Sequence, residues 1–396
     1  MRGQIIKFIY ITGCLFFTAC STQGKPKEQP EPAPETPPQF GKVNIDLSDT
    51  NAPAFKSMIY RLDTFYKRQV AAGFNGSVLV GYRGQILYER YFGYSQKESG
   101  AMWNDDTRSQ LASTSKTLTS AAILLLRDKG LLNIDDPVSK YLKSFPYEGI
   151  SVRMLLNHRS GLPDYIKFAA KPANKLYLNN DDVVQLFATK KPKLLFTPNT
   201  AFKYSNSNYA LLASVVESVS GMKFAYFMKR FIFQPLRMDC TFVLEPEEEK
   251  QCTAAFCYNA KWIMEPDMHL DGVAGDKGIY SSVRDLYRWD QALYTNKLLK
   301  YSTIEEAFKP YSFEQPGVKN YGLGWRMLNY ADGTKIVFHN GWWHGNNTCF
   351  FRFIQDNFTI IVLGNKYNRN IYRQPQQIYQ LVMNSKDSVK AFETEE

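Results

Sequence analysis

Hydrophobic and polar positions change period twice along this chain. Met58, Ile59, Leu62, Phe65 and Val70 recur at helical steps, predicting an amphipathic helix over 55–70. The period then shortens. Ser77-Val-Leu-Val-Gly81 and Gln85-Ile-Leu-Tyr-Glu-Arg-Tyr-Phe92 are rich in β-formers, and Tyr82-Arg-Gly84 between them predicts a hairpin turn. From Ser113 to about Arg288 the pattern is mainly helical, over 117–130, 181–188, 207–219, 223–233 and 284–294. Strands return at Lys335–His339, Thr348–Ile354 and Phe358–Gly364, and an amphipathic helix over Gln376–Met383 closes the pattern. Strands at both ends with helices between them predict an α+β fold. One sheet is made from the two ends, a helical lobe is inserted, and a cleft lies at their boundary. Nothing repeats at a fixed period.

Candidate chemistry gathers where the first strands give way to helix. In Ser113-Thr-Ser-Lys116 the serine and lysine stand one turn apart, at the head of the run Thr117-Leu-Thr-Ser-Ala-Ala-Ile-Leu-Leu-Leu-Arg127. A serine hydroxyl is a poor nucleophile until a neighbour takes its proton, and a desolvated lysine amine can do so. The helix start adds unpaired N–H groups where an oxyanion would form. The same four-residue pattern recurs at Ser220-Gly-Met-Lys223, where the serine ends a helical run and Gly221 predicts a C-cap. Two further pieces accompany Ser113. Tyr204-Ser-Asn206 precedes a helix and offers a phenol for proton traffic and an amide to hold a substrate. His339-Asn-Gly341 ends a strand before Trp342-Trp343-His344-Gly345. There Gly341 would let a substrate backbone lie against the strand edge, and the Trp342 N–H would face an oxyanion.

Composition adds an address more than a function. The hydrophobic share of 44% supports a substantial core. The net charge of +10 is spread thinly, and no nucleic-acid motif accompanies it. Arg2 and Lys7 precede a short apolar segment that ends in Phe17-Thr-Ala-Cys20, the layout of a secretory signal over 1–19. These four residues resemble a bacterial lipoprotein box, with Cys20 as the lipidated residue and Cys14 as the alternative. Residues 20–48 hold prolines at 26, 30, 32, 34, 37 and 38 and read as a spacer. At about 3.1 Å per residue it would reach on the order of 50 Å. The folded domain is expected over 49–390. In an oxidising compartment cysteines 240, 252, 257 and 349 allow three full pairings, with Cys252 and Cys257 close enough for a local loop. The four histidines show no metal spacing, so neither a metal nor a cofactor is expected.

In their order, Ser113-Thr-Ser-Lys116, Tyr204-Ser-Asn206 and His339-Asn-Gly341 resemble the serine hydrolase superfamily of β-lactamases and penicillin-binding proteins. The tyrosine of the second piece resembles the branch of class C β-lactamases, DD-peptidases and esterases. The segments Ile150–Asp164, Gln234–Met238, Gly278–Leu286 and Tyr321–Trp325 also look like landmarks of that branch, so the resemblance covers about 55–385.

The resemblance implies a mostly antiparallel five-stranded sheet flanked by helices, with an inserted all-helical lobe. It implies Ser113 as acylated nucleophile, Lys116 and Tyr204 as base pair, Asn206 as holder of the substrate amide, and the N–H groups of Ser113 and Trp342 as oxyanion hole. His158 reads as architectural. Where many β-lactamases carry lysine this chain has His339, expected to meet a substrate carboxylate and take up a proton in doing so. The function expected is a lipid-anchored hydrolase of the bacterial envelope facing the periplasm. Its substrate would be a D-amino-acid peptide, such as a peptidoglycan stem, or an ester. The alternatives are a penicillin-binding sensor that acylates slowly or not at all, a class C-type β-lactamase, and a purely structural lipoprotein that leaves the motifs unexplained.

Overall fold

The computed structural model describes residues 48–245 and 254–383. Helix α1 (Pro53–Ala71) leads into a hairpin of β1 (Gly76–Tyr82) and β2 (Gln85–Phe92). Arg83 and Gly84 turn it at φ 48° and 81°, and Tyr82 pairs with Gln85. Two successive positive φ values give the two-residue turn whose twist suits an antiparallel pair, and glycine takes the second without a Cβ clash. The helical part follows, with α2 (Ser115–Asp128), α3 (Asn180–Lys190), α4 (Asn206–Ser220) and α5 (Val283–Ala292) as its main elements. The stretch expected to be helical over 223–233 is an α-helix only over Phe224–Met228 and continues as a π-turn over Lys229–Phe233. The chain then returns to strand with β3 (Lys319–Tyr321), β4 (Arg326–Asn329), β5 (Lys335–Trp343), β6 (Asn346–Phe353) and β7 (Phe358–Gly364), before α6 (Gln374–Met383).

Among the described residues these strands make one antiparallel sheet in the order β2-β1-β7-β6-β5-β4-β3. The two ends of the pattern meet at its centre, with Gly76 opposite Gly364 and Tyr82 opposite Phe358. Five of the strands are those expected. The short pair β3 and β4 extends the sheet to seven, being too brief to show an alternation in sequence.

Period-two alternation divides the strands between two cores. Leu79, Val337, Phe350, Ile361 and Leu363 join the cluster around α2 and α4. Val78, Val80, Ile336, Phe351, Ile360 and Val362 face α1 and α6 in the other. There the Arg61 side chain donates to the Leu381 carbonyl, and the Tyr66 hydroxyl donates to Gln374 Oε1 at 3.0 Å.

Helix α2 is buried from Ser115 to Leu126 on every side, not on one face alone. Its polar side chains are satisfied internally: Thr119 donates to the Gly275 carbonyl and Ser120 to that of Leu323, both at 2.7 Å. Cys240, Cys257 and Cys349 form no disulfide with one another. Cys14, Cys20 and Cys252, with the signal and most of the spacer, lie outside the described residues.

Candidate active site

Ser113 lies in a 3-10 turn, Ala112–Thr114, that runs directly into α2. Ala112, just before it, has φ 48°, a left-handed conformation that costs a non-glycine residue energy. The turn is clamped from both sides. The Leu111 N–H donates to the Ile279 carbonyl at 2.8 Å, and the Ile279 N–H donates to Ser115 Oγ at 3.3 Å. On the other side it rests on Gly341 of β5. A Cβ there would run into the Leu111 carbonyl and come within 3.2 Å of the Ser113 nitrogen. The glycine expected to admit a substrate backbone therefore admits the serine turn itself.

Lys116 is 0% exposed and is the hub of the site. Its Nζ lies 3.0 Å from Ser113 Oγ, 2.8 Å from Asn206 Oδ1 and 2.8 Å from the Asp276 carbonyl oxygen. The last two groups can only accept. As a free amine, Lys116 would give its two protons to them and turn its lone pair to the Ser113 hydroxyl. Asn206 is held in that orientation because its Nδ2 donates to Asp164 Oδ2 at 2.8 Å. The Tyr204 ring stands beside this group, its centroid 5.1 Å from Lys116 Nζ and 5.1 Å from the Arg326 guanidinium carbon.

These residues line a cavity of about 340 Å³, whose wall includes Ser113, Tyr204, Asn206, Lys277, Arg326 and Gly341. Trp342 also lines it and is 52% exposed. Strand β4 pairs with β5 only over Lys335–Phe338, so from His339 to Trp343 one edge of β5 has no strand partner. Extended substrates bind such edges through main-chain hydrogen bonds.

His339 corrects the expectation that it meets the substrate. It is completely buried and does not line the cavity. Its Nδ1 lies 2.7 Å from the Asn340 carbonyl, which can only accept, so Nδ1 carries the proton. Nε2 then accepts from the Tyr321 hydroxyl at 3.1 Å. Burial first, then the charges of Arg326 and Lys116, hold the imidazole well below its ordinary pKa. A carboxylate entering the cleft meets Arg326 before it meets this neutral ring. His158 is architectural: its Nδ1 accepts from the Ser205 N–H at 3.3 Å, and its ring packs 4.3 Å from that of Tyr204.

The second Ser-x-x-Lys, at Ser220, is the helix end it resembled. Gly221 caps α4 at φ 67°, and the Ser220 hydroxyl donates to the Val216 carbonyl. Sequence reading missed Arg326, Asp164, Asp276 and Lys277. Asp164 ends one of the landmark segments, while the other three lie immediately beside such segments. Among the described residues no three His, Cys, Asp or Glu side chains come together as metal ligands would.

A family model described as Beta-lactamase matches residues 62–381. The chain belongs to that family. It is a serine hydrolase of the β-lactamase and penicillin-binding protein superfamily. It is 37% identical over 317 residues to Penicillin-binding protein 4* of Bacillus subtilis (strain 168), a match covering 76% of this chain and 70% of that one. Against another relative the match covers as little as 62% of the relative's length. Among solved structures, a penicillin-binding protein from Bacillus halodurans matches with a TM-score of 0.70 at 22% identity, covering 81% of this chain and 97% of that one. A penicillin-binding protein homologue from Pyrococcus abyssi gives 0.68 at 25% identity, covering 78% and 73%.

Proposed function

We propose that this β-lactamase-family protein works through an acyl-enzyme on Ser113, and that its substrates are peptides ending in D-alanyl-D-alanine or related carboxylic esters. The observation that carries the reading is Lys116, buried between two fixed acceptors with Ser113 Oγ as its third neighbour. Ser113 Oγ bonds to the substrate carbonyl carbon while its proton passes to Lys116, with Tyr204 sharing the transfer. The N–H groups of Ser113 and Trp342 hold the oxyanion, and Asn206 steadies the substrate amide. Collapse breaks the bond to the leaving amine or alkoxide, which takes the proton back and departs. Water then attacks the ester on Ser113, loses its proton to the same base and releases the acid. A carboxylate on the leaving side would pair with the permanent charge of Arg326.

A β-lactam, a strained amide bearing a carboxylate, fits the same steps, and the relatives' names favour its binding. Slow hydrolysis of the resulting ester would make the protein a penicillin-binding sensor, and fast hydrolysis a β-lactamase. The spacer and the box at Cys20 support placing the domain in the cell envelope on a lipid tether. Cys20→Ser should then release the protein from the membrane fraction. Labelled fatty acid on that variant would move the anchor to Cys14.

The reading is tested by treating the full-length protein with a fluorescent phosphonate and mapping the adduct. The probe should sit on Ser113, and Ser113→Ala should lose labelling and turnover together. Full labelling of Ser113→Ala would overturn it. The same preparation, assayed on a D-alanyl-D-alanine peptide, a chromogenic β-lactam and a short-chain ester, ranks the substrates.

A further inference from the structure

Behind the carbonyl that holds Lys116 lies a buried ion pair that the steps above do not use. Asp276 and Lys277 are adjacent in sequence, and both side chains are almost fully enclosed, at 1% and 3% exposure. Lys277 Nζ lies 3.3 Å from Asp276 Oδ2 and donates to the Tyr165 hydroxyl at 2.6 Å. That hydroxyl in turn donates to Asp276 Oδ2 at 3.1 Å. The ammonium also sits 4.8 Å from the Trp343 ring and 5.3 Å from the Tyr165 ring. Asp276 Oδ1 is buried without a hydrogen-bond partner. A carboxylate so placed is costly unless a fixed positive charge compensates it.

The same residue places its main-chain oxygen on Lys116, so its carboxylate is only one side chain away from the amine. The other charges facing Lys116 are Asp164, held behind Asn206, and Arg326. His158 and His339 are kept neutral by burial, and the Tyr204 and Tyr209 rings close the remaining sides. Without Lys277, Asp276 would stand beside Lys116 as an uncompensated negative charge and hold a proton on it. A protonated lysine cannot accept the serine's proton.

We propose that Lys277 is a positioning residue for the catalytic base: its ammonium, fixed by Asp276 and Tyr165, cancels the buried carboxylate next to Lys116 and so leaves Lys116 free to work as an amine. This rests on the reading of Ser113 and Lys116 as nucleophile and base. Burial raises the Asp276 carboxyl above its usual range and lowers Lys277 below its own, as two groups stabilised mainly by each other require.

The test is the pH dependence of the rate at which the phosphonate labels full-length protein. Lys277→Met should move the acid limb of that profile up by about one pH unit, slowing labelling roughly tenfold below it. Lys277→Arg, keeping the charge, should restore the original position. Asp276→Asn should move the limb down, and the double variant Lys277→Met with Asp276→Asn should bring it back towards the natural protein. Thermal melts report whether each variant is folded. A uniform loss of rate in Lys277→Met with the limb unmoved would show a merely structural residue and overturn the proposal. So would a double variant no better than Lys277→Met. Labelling that persists in Ser113→Ala is a separate result and defeats the reading of the nucleophile instead.

Discussion

Lys116 can hold three protons, but its neighbours leave a place for only two if it is to serve as a base. Asn206 and the Asp276 carbonyl take those two, and Ser113 is the remaining direction. Lys116→Ala and Tyr204→Phe should each slow phosphonate labelling by at least ~100-fold, the scale of a positioned proton transfer. The double variant should lose little more than the worse single one, because groups acting as a unit fail together. Additive losses would place the base elsewhere. Arg326→Leu should raise KM for a carboxylate-bearing ester about tenfold or more relative to a neutral ester, an effect steady from pH 6 to 7.5 because the guanidinium does not titrate there. The two buried histidines give a stability prediction of definite sign. Both His158 and His339 have folded pKa values pushed well below the ordinary 6.5. Above that value neither state binds the proton and nothing is lost. As pH falls through about 6.5 the unfolded chain takes up protons that the folded one refuses, so stability should drop. Melting temperature should fall from pH 7 to 5.5, and His339→Gln should make that fall shallower.

Elements hold the site through close approaches rather than through loops. The serine turn and β5 touch at Gly341, where a side chain has no room. Gly341→Ala should displace Ser113 by a fraction of an ångström to one ångström and slow labelling by about 10- to 100-fold, with the protein still folded. An unchanged rate would mean that the turn can slide along the strand. Helix α5 is fastened to the sheet by a charge pair enclosed on both sides, Asp290 with Arg352 of β6. Thr359 on β7 donates to the same carboxylate at 2.8 Å, and Arg352 Nη2 donates to the Asp290 carbonyl at 3.2 Å. Asp290→Ala strands the guanidinium in the core and should cost about 3–5 kcal/mol, read as a shift in the urea midpoint.

At the scale of the whole molecule, α6 covers the face of the sheet turned away from the active site, together with α1. A chain ending at Arg373 loses Ile378, Tyr379 and Val382 from that core and bares Phe353 and Phe358. It should be recovered as aggregate, although no cleft residue has been removed. Soluble, phosphonate-reactive protein from that chain would show that the active-site half stands alone. The central pairing of β1 with β7 explains why the two halves should fail together. Strands more than 270 positions apart lie side by side, so neither core closes until both ends of the domain have met.

Sequence by itself determined the elements and the family, because both depend on short-range information. Period-two runs wide enough to alternate, as in 77–81 and 358–364, need no tertiary context, and the hairpin turn at Arg83-Gly84 is fixed by local φ preference. Ser113 and Lys116 were legible because one helical turn sets their separation. Strands β3 and β4 were not, since three or four residues carry no period. Nor was the true place of His339. Its position at the end of a strand is local, but its burial under Tyr321 and Arg326 depends on which strand lies next to it. The same holds for Arg326 in the cleft wall and for the Asp276–Lys277 pair behind Lys116. Charged residues carry no periodic signal, and their electrostatic role is set by distances that exist only once helices and sheet have packed.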